Sequence, residues 1–140
     1  MALKFKFIAE PRTVAIVSCP FRGGQTRLGV DQGPIHFIEA GLIGQLEELG
    51  WKVKFEGHLQ FGEIDASTDP PIGVLKNPRL VSHSTEAVAK AVGKHAAQGE
   101  LPLSLGGDHS LVSWHVYGVP KPQACPFRLS SLMEGVRGVM

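Results

Sequence analysis

The sequence predicts an α/β fold, with a mainly parallel sheet of about three strands and helices packed on it. Three observations predict it. Residues 13–19 (TVAIVSC) are a β-branched apolar run between Pro11 and Pro20, as expected of a strand buried on both faces. Residues 34–49 carry apolar side chains at helical spacing and lead directly into a second strand-like segment. Residues 101–105 form another apolar run that ends in Gly106 and Gly107, which let the backbone turn sharply.

Between the first strand and the first helix lies a glycine-rich polar stretch, residues 20–34, expected to be an ordered loop at the strand's carboxyl end. Pro34 suits a first helical position, because its fixed φ and missing N–H cost nothing there. Ile35, Ile38, Leu42, Leu46 and Leu49 recur at steps of three and four, one apolar stripe, and Gly50 is a fitting stop. Residues 51–55 (WKVKF) then alternate apolar and polar, a strand with one less buried face. Strand, helix and strand make a βαβ unit, for which a right-handed crossover is strongly favoured.

Residues 56–77 show no clean period and read as a long loop, a length that inside a compact domain often serves function. Asn77 and Pro78 are expected to be the cap and first residue of a second helix ending near Gly99, with Leu80, Val81, Val88, Val92 and His95 on one face. That helix delivers the chain to the strand at 101–105. Beyond Ser110 the signals fade: residues 111–117 allow a turn or two of helix, and Pro120, Pro122 and Pro126 forbid a long element. The expected division is residues 1–111 as the ordered unit and 112–140 as a divergent, poorly ordered tail.

Composition narrows the function. The 140 residues are enough for one domain with a core, and 43% hydrophobic with 19% charged residues is ordinary globular usage. A net charge of +1 gives no reason to expect a nucleic acid or an anionic membrane as partner. Cys19 and Cys125 have no metal-type spacing, which argues against a disulfide scaffold and for a reducing compartment. The cytoplasm is therefore expected, with a short amphipathic organelle signal at the N-terminus, and so mitochondria, as the alternative.

The chemistry-bearing candidate is His109. It follows the third strand across Gly106, Gly107 and Asp108, at the sheet edge where open α/β folds bind ligands. Asp108 is assigned to loop support in preference to ligation, with Ser110 beside it. A single imidazole after two glycines is by itself more often a turn residue than a ligand. His36, His58, His83 and His95 have no metal-spaced partner and read as helix-surface or loop residues, and His115 falls in the divergent tail. The Gly23-Gly24 loop matches neither the dinucleotide fingerprint nor the phosphate-loop pattern, so no cofactor-binding and no catalytic residue is assigned.

With these stretches in view, the chain resembles the N-terminal part of the arginases, in the ureohydrolase family. Gly24-Gln25, Gly29-Val30-Asp31 and Gly33-Pro34 resemble the family's first loop and helix start. Lys76-Asn77-Pro78-Arg79 resembles the opening of the next helix, in a form more typical of arginases than of agmatinases. Residues 105–111 (LGGDHSL) resemble the family's first metal motif, and the match spans roughly residues 10–112. The resemblance implies a three-layer α/β/α sandwich and a pair of manganese ions at the carboxyl edge. It implies hydrolysis of L-arginine to L-ornithine and urea by a metal-bridging hydroxide, with His109 a ligand of one ion. Metal coordination suits this reaction, because guanidinium is a poor electrophile and needs a strong nucleophile near neutral pH.

The family's other ligands belong to an Asp-x-His-x-Asp and a later Asp-x-Asp motif, and Asp stands here only at 31, 65, 69 and 108. Two dications at close range need bridging carboxylates, which one imidazole does not replace. The expectation is an arginase-family metallohydrolase cut short after about three strands, inactive alone. The alternative is a non-enzymatic subunit that forms a homo-oligomer or associates with full-length arginase, because an unpaired sheet edge invites another chain.

Overall fold

The computed structural model describes residues 12–112. The residues 113–140 expected to be a divergent tail, with His115 and Cys125, lie outside them. The described chain runs β1 (Thr13–Cys19), α1 (Gly33–Glu39), α2 (Leu42–Glu48), β2 (Lys52–His58), α3 (Pro78–Ala97) and β3 (Leu101–Gly106), with short 3-10 turns at Val30–Gln32, Ala66–Thr68 and His109–Leu111. Among the described residues the sheet has three strands in the order β2-β1-β3, all parallel, which bears out the α/β expectation.

β1 is central because its sequence leaves no polar face to show to water. All seven of its residues are buried, so both faces of the strand are covered. Val17 and Cys19 pack with Phe21, Val88, Val92 and Leu111 in one core cluster, which places α3 on that face. With right-handed crossovers, the change of direction at β1 puts α1 and α2 on the other face. There α1 contacts β1 and β3, and α2 contacts β2.

Two elements differ from the sequence reading. The helix expected over residues 34–49 is two helices, because Gly41 takes a left-handed φ of 90° that ends α1 and starts α2. The turn rotates the end of the stripe away from the sheet, and Leu49 is 73% exposed instead of packed. The second strand runs on past Phe55 to His58. Its register against β1 shifts between Ile16 and Ser18, where Gly57 at φ 99° supplies the extra residue, and Ser18 then faces His58.

The start of α3 is built from further away than its sequence suggests. Asn77 stands at the cap position with a positive φ of 48°, yet its side chain caps nothing and donates instead to the Gly23 carbonyl at 2.8 Å. The capping is done by Asp69, buried at 3% exposure, whose carboxylate accepts from the Arg79 and Leu80 N–H groups at 2.9 and 3.0 Å. The long loop 59–77 is thus tied back onto the helix it precedes.

Candidate metal edge at the carboxyl end of the sheet

Strand order 2-1-3 reverses direction at β1, and in sheets of this order the ligand crevice opens between the carboxyl ends of β1 and β3. The loops leaving those two strands are fastened together here. Gly107 N donates to the Cys19 carbonyl at 3.2 Å, and a Cβ on Gly107 would stand 2.1 Å from the Phe21 carbonyl oxygen. Only glycine permits so close a backbone approach.

Asp108 closes the same junction. Its Oδ2 accepts from Gly24 N at 2.8 Å across 84 residues of sequence, and its Oδ1 accepts from the N–H of Ser110 at 2.8 Å and from the Ser110 hydroxyl. Asp108 is buried, and both of its oxygens are committed to holding loops. Gly24 is required on the other side, since a Cβ there would come within 2.8 Å of Ser110 Cβ and Oγ.

His109 opens the 3-10 turn capped by Asp108 and is exposed. Its imidazole is therefore held at the crevice by a fixed backbone, with its ring open to solvent. The loops after β1 and β2 form a cleft of about 650 Å³ lined by Phe21, Arg22, Arg27, Phe61, Glu63 and other residues, and His109 is not among them; Arg22 pairs with Asp31 at 4.0 Å on its wall. Phe21 and Phe61 meet edge to face at 5.2 Å, which stiffens its floor.

A family model described as the arginase family matches residues 12–124. The chain belongs to the arginase family. An arginase of Glaciozyma antarctica is 50% identical over 123 residues, covering 85% of this chain and 36% of that protein. Arginase-1 of Homo sapiens is 40% identical over 110 residues, covering 79% and 34%. Among solved structures, the arginase of Bacillus caldovelox superposes with a TM-score of 0.70 at 34% identity, over 77% of this chain and 36% of that one. The arginase-family chain thus spans about a third of the length of the relatives it matches, and the match continues past Val112 to residue 124.

The arginase family implies a metal, and the donor set among the described residues does not by itself fit a two-ion site. No group of three or more His, Cys, Asp or Glu side chains there could hold an ion. The Asp108 oxygens are taken by Gly24 and Ser110.

The remaining histidines separate. His36 and His83 are exposed on helices, as expected. His58 closes β2 and its Nδ1 lies 2.7 Å from the Oγ of buried Ser18, so it fastens the strand ends. His95, expected on a helix surface or loop, is 4% exposed and donates from Nδ1 to Glu100 Oε2 at 2.7 Å. Glu100 also pairs with Lys54, and this cluster sits at the amino end of β3, opposite the crevice. Asp69 and Glu100 were missed because each meets its partner through the fold. The one sequence signal was His95 on the apolar face of its helix.

Cys19 is a buried free thiol, and burial pushes its pKa up to about 12, so it is neither a nucleophile nor a ready metal ligand. No helix among the described residues is long and apolar enough to cross a membrane.

Proposed function

We propose that this chain carries the first third of a manganese-dependent arginase, acting on L-arginine to give L-ornithine and urea, with His109 as one metal ligand. The observation that carries the reading is the exposed imidazole of His109 held at the β1/β3 crevice by the bonds of Asp108 to Gly24 and Ser110. A ligand needs a fixed backbone and a free ring, and the position has both. The 140 residues on their own are proposed to be inactive, because the acidic side chains that would complete a two-ion site are not encoded in them.

Two measurements test the reading. The purified chain incubated with manganese and L-arginine should release no urea; turnover would overturn the inactive half of the proposal. A chimera should test the other half, with residues 1–112 of this chain fused to the matching downstream part of the Glaciozyma antarctica arginase. It should bind manganese and hydrolyse arginine, and His109→Ala should lower both by more than about tenfold. A folded chimera whose manganese content is unchanged by His109→Ala would remove the ligand assignment.

A further inference from the structure

α3 meets the segment after β2 across a second cleft. It holds about 370 Å³ between residues 60–64 and the first half of the helix, and Phe61, Glu63, Ile64, His83, Ser84 and Ala87 are in its lining. Ser84 is only 3% exposed, and among the described residues its hydroxyl has no hydrogen-bond partner. The neighbouring Thr85, by contrast, donates to the Val81 and Ser82 carbonyls at 2.7 and 2.8 Å. Folded proteins leave few such hydroxyls unpaired, because burial takes away their bonds to water. No fully buried side-chain polar atom among the described residues lacks a partner, so the sliver of Ser84 that stays open is its hydroxyl, and it opens into this cleft.

The rest of the lining gives the missing partner a shape and a charge. Phe61, Ile64 and Ala87 are partly buried and supply apolar walls. Glu63 is exposed and makes no ion pair among the described residues, although Arg22 and Arg27 line the larger cleft on the other side of the same segment. Glu86 on α3 is already paired with Lys90 at 2.9 Å, so the unpaired charge in the lining is the carboxylate of Glu63. His83 adds a ring that can donate or accept. Residues 60–64 make no backbone–backbone hydrogen bond among the described residues, so this wall can adjust to an occupant. Its ends are pinned, by Leu59 N to the Ser18 carbonyl at 2.8 Å and by Asp69 on the start of α3.

We propose that the cleft between residues 60–64 and α3 is a binding site for a small organic amine: its ammonium pairs with Glu63, its apolar body lies against Phe61, Ile64 and Ala87, and a second polar group reaches the Ser84 hydroxyl. The size agrees, since 370 Å³ falls at the lower end of small-molecule sites and suits a ligand of about ten non-hydrogen atoms. The three kinds of contact divide the work. Burial of the apolar body supplies most of the affinity, and the two polar contacts select which molecule is held. The site uses no residue assigned to the hydrolysis proposed above, and binding is measured without metal or turnover.

The test titrates tyramine, which joins an ammonium, an aromatic ring and a hydroxyl, into the full 140-residue chain and follows the backbone amides by NMR. Saturable shifts are expected at residues 60–64 and 83–87, with a dissociation constant of about 1 mM or below. Glu63→Gln and Ser84→Ala should each weaken binding by about fivefold or more, and 4-ethylphenol, which keeps the ring and hydroxyl without the ammonium, should bind the wild type that much less tightly. Glu47→Gln, on α2 across the sheet, should change nothing. Without ligand, Ser84→Ala should melt no lower than the wild type, because its hydroxyl bonds to nothing in the fold. A clear drop in that melt would give the hydroxyl a structural partner and overturn the proposal. So would a folded chain with no saturable shift at about 10 mM tyramine, or binding that survives both variants. Equal affinity for 4-ethylphenol would show that the cleft reads only a ring, and the amine assignment would fall.

Discussion

His95 and Glu100 form a buried hydrogen-bonded pair across the turn between α3 and β3, Nδ1 to Oε2 at 2.7 Å, with side chains 6% and 2% exposed. Lys54 of β2 reaches the other carboxylate oxygen, so one glutamate joins an edge strand, a helix end and the start of β3. Burial by itself would raise the Glu100 carboxyl, but the hydrogen bonds from Lys54 and His95 outweigh it and hold the pKa below its ordinary 4.5.

The sign of the pH effect follows. A carboxyl depressed in the folded state contributes stability that is complete above its unfolded value and is lost as pH falls through the folded one. The wild-type urea midpoint should therefore fall as the pH drops below 4.5, and that slope should shrink in Glu100→Gln. At pH 7 Glu100→Ala should cost about 3 kcal/mol, since it strands a buried partner. Lys54→Met should cost about 1 kcal/mol or less, because its ammonium is partly in water. Equal costs for the two would contradict this account.

Asp108→Ala should free the loop after β1 without unfolding the sheet. It removes the acceptor of the Gly24 and Ser110 N–H groups, a loss of about 2 kcal/mol. Hydrogen exchange at the Gly24 amide should speed up markedly while the β1 amides keep their protection.

Gly107→Ala should not fold at ordinary temperature, because its Cβ would sit 2.1 Å from a backbone oxygen that cannot move without displacing β1. Gly29→Ala is the contrast: it has a positive φ but open space around it, and should cost only about 1 kcal/mol. Thermal melts of the pair would show the difference between steric and conformational need for glycine.

Asp69→Ala should cost about 1–2 kcal/mol by uncapping α3, more than Asn77→Gly, which keeps the positive φ and loses only the bond to Gly23. The reverse order in denaturant melts would restore Asn77 as the cap.

Cys19, with its thiol pushed up to about 12, should resist thiol reagents at pH 8 in the folded chain and react once denaturant is added. Fast labelling of Cys19 without unfolding would mean that the face it shares with Val88 and Val92 opens readily.

The sequence by itself determined the strands, the parallel sheet and the place of His109, because each rests on a local pattern. An apolar run of seven, a stripe at helical spacing and a Gly-Gly turn state their geometry within a dozen residues. Only the tertiary structure decided which polar residues hold the fold. Asp108 meets Gly24, Asp69 meets Arg79, and Glu100 meets both His95 and Lys54, and nothing in the spacing of these residues marks the pairs. Their energies come from desolvation and directed hydrogen bonds, which exist only once the folded chain has excluded water and brought distant atoms within three ångströms. The break at Gly41 follows the same rule: the apolar stripe permits one helix, and packing against the sheet sets where it bends.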